Sequence, residues 1–136
     1  MSGPENTFIA STHKHLPPDL YRIKNHNVYN AGQADCWYSG TRADLWVEYK
    51  FIVVPKLDAS EIDICGGKKP DLSHLQQEWL RGRHREGRQV GVIIGCKEGG
   101  VWLPGVKWEC SFSALVFRKK ILNRAQLAQT ILKLVS

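Results

Sequence analysis

Leu45, Val47, Tyr49 and Phe51 alternate with Asp44, Trp46, Glu48 and Lys50, so the stretch from Leu45 to Val54 reads as a strand with one apolar and one charged face. Ahead of it, Cys36-Trp37-Tyr38 forms a second short strand, and the break at Ser39-Gly40-Thr41 between them predicts a hairpin. Residues 55–70, with Pro55, Gly66-Gly67 and Pro70, read as a loop carrying a short strand at Glu61-Ile62-Asp63-Ile64. A helix is predicted from Asp71 or Ser73 to about Glu86-Gly87. Both starting residues cap well, and Leu72, Leu75, Trp79 and Leu80 recur at helical spacing. Val90-Gly91-Val92-Ile93-Ile94 is a continuous apolar run that suits a strand buried on both faces, and Lys97-Glu98-Gly99-Gly100 turns it into Val101-Trp102-Leu103. The stretch 108–120 has no decisive period. A last helix, capped near Asn123, aligns Leu127, Ala128, Ile131, Leu134 and Val135 as an inward stripe.

The beginning of the chain carries less pattern. Residues 1–15 lack clear periodicity and read as an N-terminal arm, Pro17-Pro18-Asp19 opens Leu20 to Lys24 as a helical turn, and Asn30-Ala31-Gly32 marks the onset of the strands. The order of elements predicts a mixed α/β sheet with helices packed on it, in a single domain spanning residues 16–136.

Composition narrows the class. A chain of 136 residues, 43% hydrophobic with five Trp and four Phe, fills one core. It has no apolar run of about 18 residues and no basic-then-apolar signal pattern after Met1, so the expectation is a cytoplasmic protein without a membrane partner. Cys36, Cys65, Cys96 and Cys110 are too scattered for a metal clamp and read as reduced packing thiols. The net charge of +6 directs attention to an anionic partner, nucleic acid first, the alternative being an ordinary basic surface.

Chemistry concentrates on the charged face of the second hairpin strand. Glu48 and Lys50, two apart, point the same way and place an ammonium beside a carboxylate able to hold a hard divalent cation. Asp35 lies on the partner strand. An even-length turn puts it on the face of Glu48, close enough to share an ion, and an odd-length turn puts it on the other face. The competing interpretation is a solvated strand face with weak local pairing. Gln76 favours the site: it lies on the apolar stripe of the following helix, where a buried amide needs polar partners. A core glutamine satisfied elsewhere is the other option.

Gly32-Gln33-Ala34-Asp35, Trp46-Val47-Glu48-Tyr49-Lys50 and Leu72-Ser73-His74-Leu75-Gln76-Gln77-Glu78-Trp79-Leu80 together resemble the G-x-P-D, E-x-K and L-S-x-x-Q-x-x-W series of PD-(D/E)XK nucleases, in the expected order over roughly residues 13–103. The branch resembled is that of small stand-alone VRR-NUC and Holliday-junction-resolvase-like enzymes, including phage endonucleases. The resemblance implies a restriction-endonuclease-like mixed β-sheet flanked by helices. It implies Mg²⁺, with Mn²⁺ as substitute, bound by Asp35, Glu48 and the backbone carbonyl of Tyr49, Lys50 orienting the attacking water and stabilising the phosphate, and Gln76 in support. Opposite charges around Lys50 favour its ammonium form, so electrostatic and positioning work comes ahead of a general-base role. Ala34 replaces the usual proline. Many relatives carry a further Glu on an upstream helix, for which Glu5 and Asp19 are the available acids.

The implied activity is endonucleolytic hydrolysis of branched DNA by a homodimer in the cytoplasm, that of the host if phage-encoded. Alternatives are a nicking, repair or restriction-type nuclease, and a DNA-binding module that keeps the fold without cutting. Lys14, Lys68, Lys69, Arg81, Arg83 and Arg85, with Arg88 and His84, are candidate phosphate contacts, as are Arg118, Lys119 and Lys120, all set against plain surface charge. His13, His15 and His26 read as surface or DNA-facing residues and not as a metal pair. Trp37, Tyr38 and Trp46 are either base-stacking or packing residues.

Overall fold

The computed structural model describes residues 3–25 and 32–136, and the expectations placed on Asn30-Ala31 and His26 lie outside that range. The hairpin predicted from alternation is present: Cys36–Ser39 (β2) pairs antiparallel with Asp44–Phe51 (β3), from Cys36 opposite Val47 to Ser39 opposite Asp44. The connection Gly40–Ala43 holds an even number of residues, the case that puts Asp35 and Glu48 on one face. Tyr21–Lys24 (β1) adds to the outside of β2, Val90–Cys96 (β5) runs parallel to β3, and Gly99–Pro104 (β6) returns antiparallel to β5. The result is a five-stranded mixed sheet in the order β1-β2-β3-β5-β6. A separate ribbon pairs Glu61–Ile62 (β4) with Phe112–Ser113 (β7), so the strand expected over 61–64 is shorter than its sequence suggests.

Helices cover both faces. Pro4–His13 (α1) and Arg124–Val135 (α4) lie on one, where Phe8, Ile9, Leu127, Ile131 and Val135 pack with Tyr38, Val47, Tyr49 and Ile93. His74–Arg85 (α2) and Ala114–Lys120 (α3) lie on the other, with Leu72, Leu80, Trp108 and Phe117 against Val92 and Ile94. Alternate residues of β5 therefore enter opposite cores, which is why its sequence is apolar without a break. Asn123 caps α4 through a capping box with Gln126, and Ser73 caps α2 in the same way with Gln76.

Two readings of the N-terminal region are corrected. Residues 4–13 are a helix of the domain and not an arm. Proline stands at its first turn, and Phe8, Ile9 and Thr12 are buried, too few to make a stripe legible in sequence. Phe8 meets Tyr49 edge-on at 6.2 Å and Phe51 at 5.9 Å, in space that a Cβ at Gly95 would enter at 2.8 Å from its ring. Leu20–Lys24 is not a helical turn. Leu20 N–H closes a turn on the Pro17 carbonyl (3.1 Å), after which Tyr21 and Ile23 take one sheet face while Arg22 and Lys24 take the other, Lys24 Nζ donating to Asn6 Oδ1 at 2.7 Å. The stretch 108–120, which has no decisive period, holds the end of a 3₁₀ turn at Lys107–Glu109, then β7 and α3. Leu75, expected in the apolar stripe of α2, is 55% exposed.

Because Phe8 keys α1 into the sheet, Phe8→Ala should destabilise the protein by about 3–5 kcal/mol in denaturant unfolding. Deletion of residues 1–15 should abolish cooperative unfolding. An unchanged midpoint in the deletion would mean that the segment is an arm after all.

Candidate functional site

The register of the hairpin sets the site. Trp37 stands opposite Trp46, so Asp35, two residues before Trp37, faces the side of Trp46, Glu48 and Lys50. Gly32, the first residue of the Asp35 motif, has φ +93°, and a Cβ there would sit 2.6 Å from the Leu75 carbonyl oxygen. Only glycine suits both the left-handed backbone and the close approach of α2. Ala34 is fully buried.

Asp35, Glu48, Lys50 and Gln76 converge. Asp35 Oδ2 accepts from the Tyr49 backbone N–H at 2.9 Å, and the Asp35 carboxylate stands close enough to Glu48 to raise its pKa. Lys50 Nζ stands 3.5 Å from Glu48 Oε2, and Gln76 Nε2 donates to the same oxygen at 3.0 Å. The other end of the Gln76 amide accepts from Ser73 N–H at 3.0 Å, so the capping box of α2 aims its amide at the sheet. Glu48 is 1% exposed, and its Oε1 has no hydrogen-bond partner among the described residues. Burial, and then the charge of Asp35, push the Glu48 carboxyl up to about 9 against the opposing pull of Lys50.

Glu5 is the upstream acid that reaches this centre. Burial and the charge of Asp35 raise its pKa, while Lys50 and Lys24 pull it down. With Lys50 and Asp71 it lines an open recess of about 540 Å³ beside the site, from which Asp19 is absent. Asp71 entered the sequence reading only as a possible helix cap. Ser73 takes that role, leaving Asp71 at the recess.

Among the described residues, no three His, Cys, Asp or Glu side chains form a ready metal cluster. The facing donors are the two carboxylates, joined by one backbone group. Trp46 donates its N–H to the Gln89 carbonyl just ahead of β5 and Ile52 donates to Gly95 within it, whereas the Tyr49 N–H turns the opposite way to Asp35. Because the N–H and C=O of a strand residue share a side, the Tyr49 carbonyl leaves β3 on the Asp35 edge. An all-oxygen set with one orphaned carboxylate oxygen suits a hard divalent cation.

The cationic candidates divide. Lys14, Lys68, Lys69, His84, Arg85, Arg88, Lys119 and Lys120 are exposed. Arg81 is engaged within the protein: it meets Glu109 at 3.1 Å and Gln77 Oε1 at 3.3 Å, and lies 5.0 Å over the Trp108 ring. Arg83 pairs with Glu86, and Arg118 is held by Asp58 and the Pro55 carbonyl. His13 is not a surface residue. Its Nε2 meets the Tyr38 hydroxyl at 2.7 Å, which in turn meets the Tyr49 hydroxyl at 2.6 Å, making fully buried Tyr38 a packing residue. His15 is exposed. The four cysteines are free, with Cys36 and Cys96 buried and Cys110 exposed. Burial pushes the Cys36 thiol up to about 12, so it stays an inert packing group.

The five-stranded mixed sheet flanked by helices is a restriction-endonuclease-like fold. Among solved structures the chain is similar to that of Archaeoglobus fulgidus Hjc, a Holliday junction resolvase from an archaeal hyperthermophile, with a TM-score of 0.58 and 14% identity, covering 93% of this chain and 97% of that one. No protein-family model matches the chain, and no curated protein matches it by sequence.

Burial, followed by the charges of Arg22 and Lys24, lowers the His13 pKa to about 4. An unfolded histidine titrates near 6.5, so as pH falls from about 6.5 to about 4 the unfolded chain takes up a proton that the folded one refuses, and stability declines. The His13 ring should therefore titrate near pH 4 by NMR, and His13→Gln should flatten this part of the stability profile relative to wild type. A midpoint near 6.5 would contradict the buried pairing.

Proposed function

We propose that this chain is a divalent-metal-dependent endonuclease that hydrolyses phosphodiester bonds in branched or otherwise structured DNA, using Asp35, Glu48, Lys50 and Gln76. The observation that carries the reading is the Glu48 carboxyl, buried to 1% exposure with Oε1 unpartnered among the described residues, beside the Asp35 carboxylate and the Lys50 ammonium. Protein folds seldom bury such a group without a counter-charge or a use for it. A cation shared with Asp35 supplies the counter-charge.

Asp35, Glu48 and the Tyr49 carbonyl would hold Mg²⁺ or Mn²⁺, with Glu5 and Asp71 as acids in the neighbouring recess. When bound, such an ion supplies an activated water and neutralises charge developing at phosphorus. Lys50 places its ammonium where the scissile phosphate meets the carboxylates, stabilising the charge that grows on the phosphoryl oxygens and orienting the attacking water. Gln76 holds Glu48 Oε2 in position through an amide already fixed by the helix cap. Support for a branched substrate comes from the fold shared with a junction resolvase and from the net charge of +6.

Purified wild type should cut a labelled four-way junction in Mg²⁺ or Mn²⁺ and not in EDTA. Glu48→Ala and Asp35→Ala should abolish cutting, Lys50→Ala should slow it by roughly 10²–10³-fold, and Gln76→Ala by roughly 10–100-fold. Cutting confined to unbranched duplex would make the protein a nuclease of another substrate class. Junction binding without cleavage in any metal would leave a DNA-binding module on a nuclease fold. Thermal unfolding offers a separate check: Mn²⁺ should raise the midpoint of wild type and leave that of Asp35→Ala unmoved.

A further inference from the structure

On the sheet face that carries Glu48, the hairpin and α2 enclose an open groove of about 820 Å³, lined by Trp37, Trp46 and Trp79 together with Arg42, Arg83 and Arg88. The three indoles form a continuous ladder. Trp37 stacks on Trp46 at 5.6 Å with 20° between planes, and Trp79 meets Trp46 edge-on at 5.3 Å. All three are half-buried, and the indole N–H of Trp37 has no acceptor among the described residues. Trp46 precedes Glu48 by two residues on β3, and Trp79 follows Gln76 by three on α2, so the ladder lies directly beside the candidate cleavage centre.

We infer that this groove binds an unpaired nucleobase of the strand held at the cleavage centre, with an adjoining phosphate on Arg88; as a substrate assignment it rests on the nuclease reading above. Two features select this occupant. Three guanidinium groups rim the groove against one lining carboxylate, Asp44, which is already held by Ser39 Oγ at 2.7 Å; Arg42 is tied to the Lys133 and Ser136 carbonyls and Arg83 to Glu86, while Arg88 is exposed. A second copy of the chain docked here across a two-fold axis would bring the same arginines and another +6 of charge to face them, whereas a polyanion is attracted. Aromatic faces favour a base that is out of its stack, since paired bases in a duplex have both faces covered. Groove and centre together describe a protein that engages nucleic acid where pairing is interrupted.

The test is binding in EDTA, which removes cleavage from the readout. Oligothymidylate should bind on the order of tenfold tighter than an abasic strand of the same length and charge, and it should quench tryptophan fluorescence. Trp37→Leu should erase the difference while retaining abasic binding. Arg88→Ala, at an exposed position, should weaken both strands equally and keep their ratio, which tests the phosphate half even if the tryptophan variant fails to fold. Equal affinity of wild type for the two strands would overturn the inference. So would a concentration-dependent dimer lost in Trp37→Leu without any base preference, which would assign the face to a second copy. Base preference with no cleavage of any substrate would defeat the nuclease reading and leave the groove standing, and cleavage without base preference would do the reverse.

Discussion

The Glu48 carboxyl sits in the middle of a sheet, on a strand with neighbours on both sides, and the arrangement around it is built to hold it there. Desolvation opposes its charge, Asp35 adds to the opposition, and Lys50 supplies the local cation. Gln76 satisfies one of its oxygens, and among the described residues the other has no donor. Such a balance works against stability when the site is considered alone, because the buried carboxyl must either carry a charge with incomplete partners or give it up by taking a proton. The rest of the fold has to compensate. It does so with a core on each side of the sheet and with β5, whose alternate residues enter both.

Helix α2 serves the site through its first turn. Gln76 closes the capping box on Ser73 with its oxygen and reaches Glu48 with its nitrogen, so one side chain links the start of a helix to the centre of the sheet. The helix then lies along β3 in the opposite sense, Gln76 above Glu48 and Trp79 against Trp46. Farther along, Arg81 is drawn aside by Glu109 and Trp108, which ties α2 to the 3₁₀ turn and removes one of the basic residues from the surface available to a ligand.

Much of this was legible in the sequence where the physics is local. The β2–β3 hairpin announces itself by period-two alternation, and the unbroken apolar run of β5 by its double burial. The face on which Asp35 falls was open until the length of the connection was known, because the parity of Gly40–Ala43 decides it and composition does not. The N-terminal helix was illegible because its hold on the domain comes from Phe8 and Ile9 finding space above Gly95, a tertiary fit that leaves no periodic trace. The proline pair before β1 suggested a helix start, yet pairing with β2 overrides local propensity over so short a segment. Leu75 kept helical spacing but lies on the exposed side of α2, and Glu5 became placeable only when the first helix was seen to approach Lys50.

The parallel pairing of β3 with β5 has a bearing on how the protein comes into being. The two strands meet only after the long excursion through β4 and α2, so their contacts join residues far apart in sequence, and pairings of that kind form slowly and late. Asp35 and Glu48 meet across the local β2–β3 hairpin, whereas Gln76 comes from α2, inside the connection that the β3–β5 pairing closes. The two carboxyls can thus be brought together by local contacts, while their amide partner depends on the long-range closure.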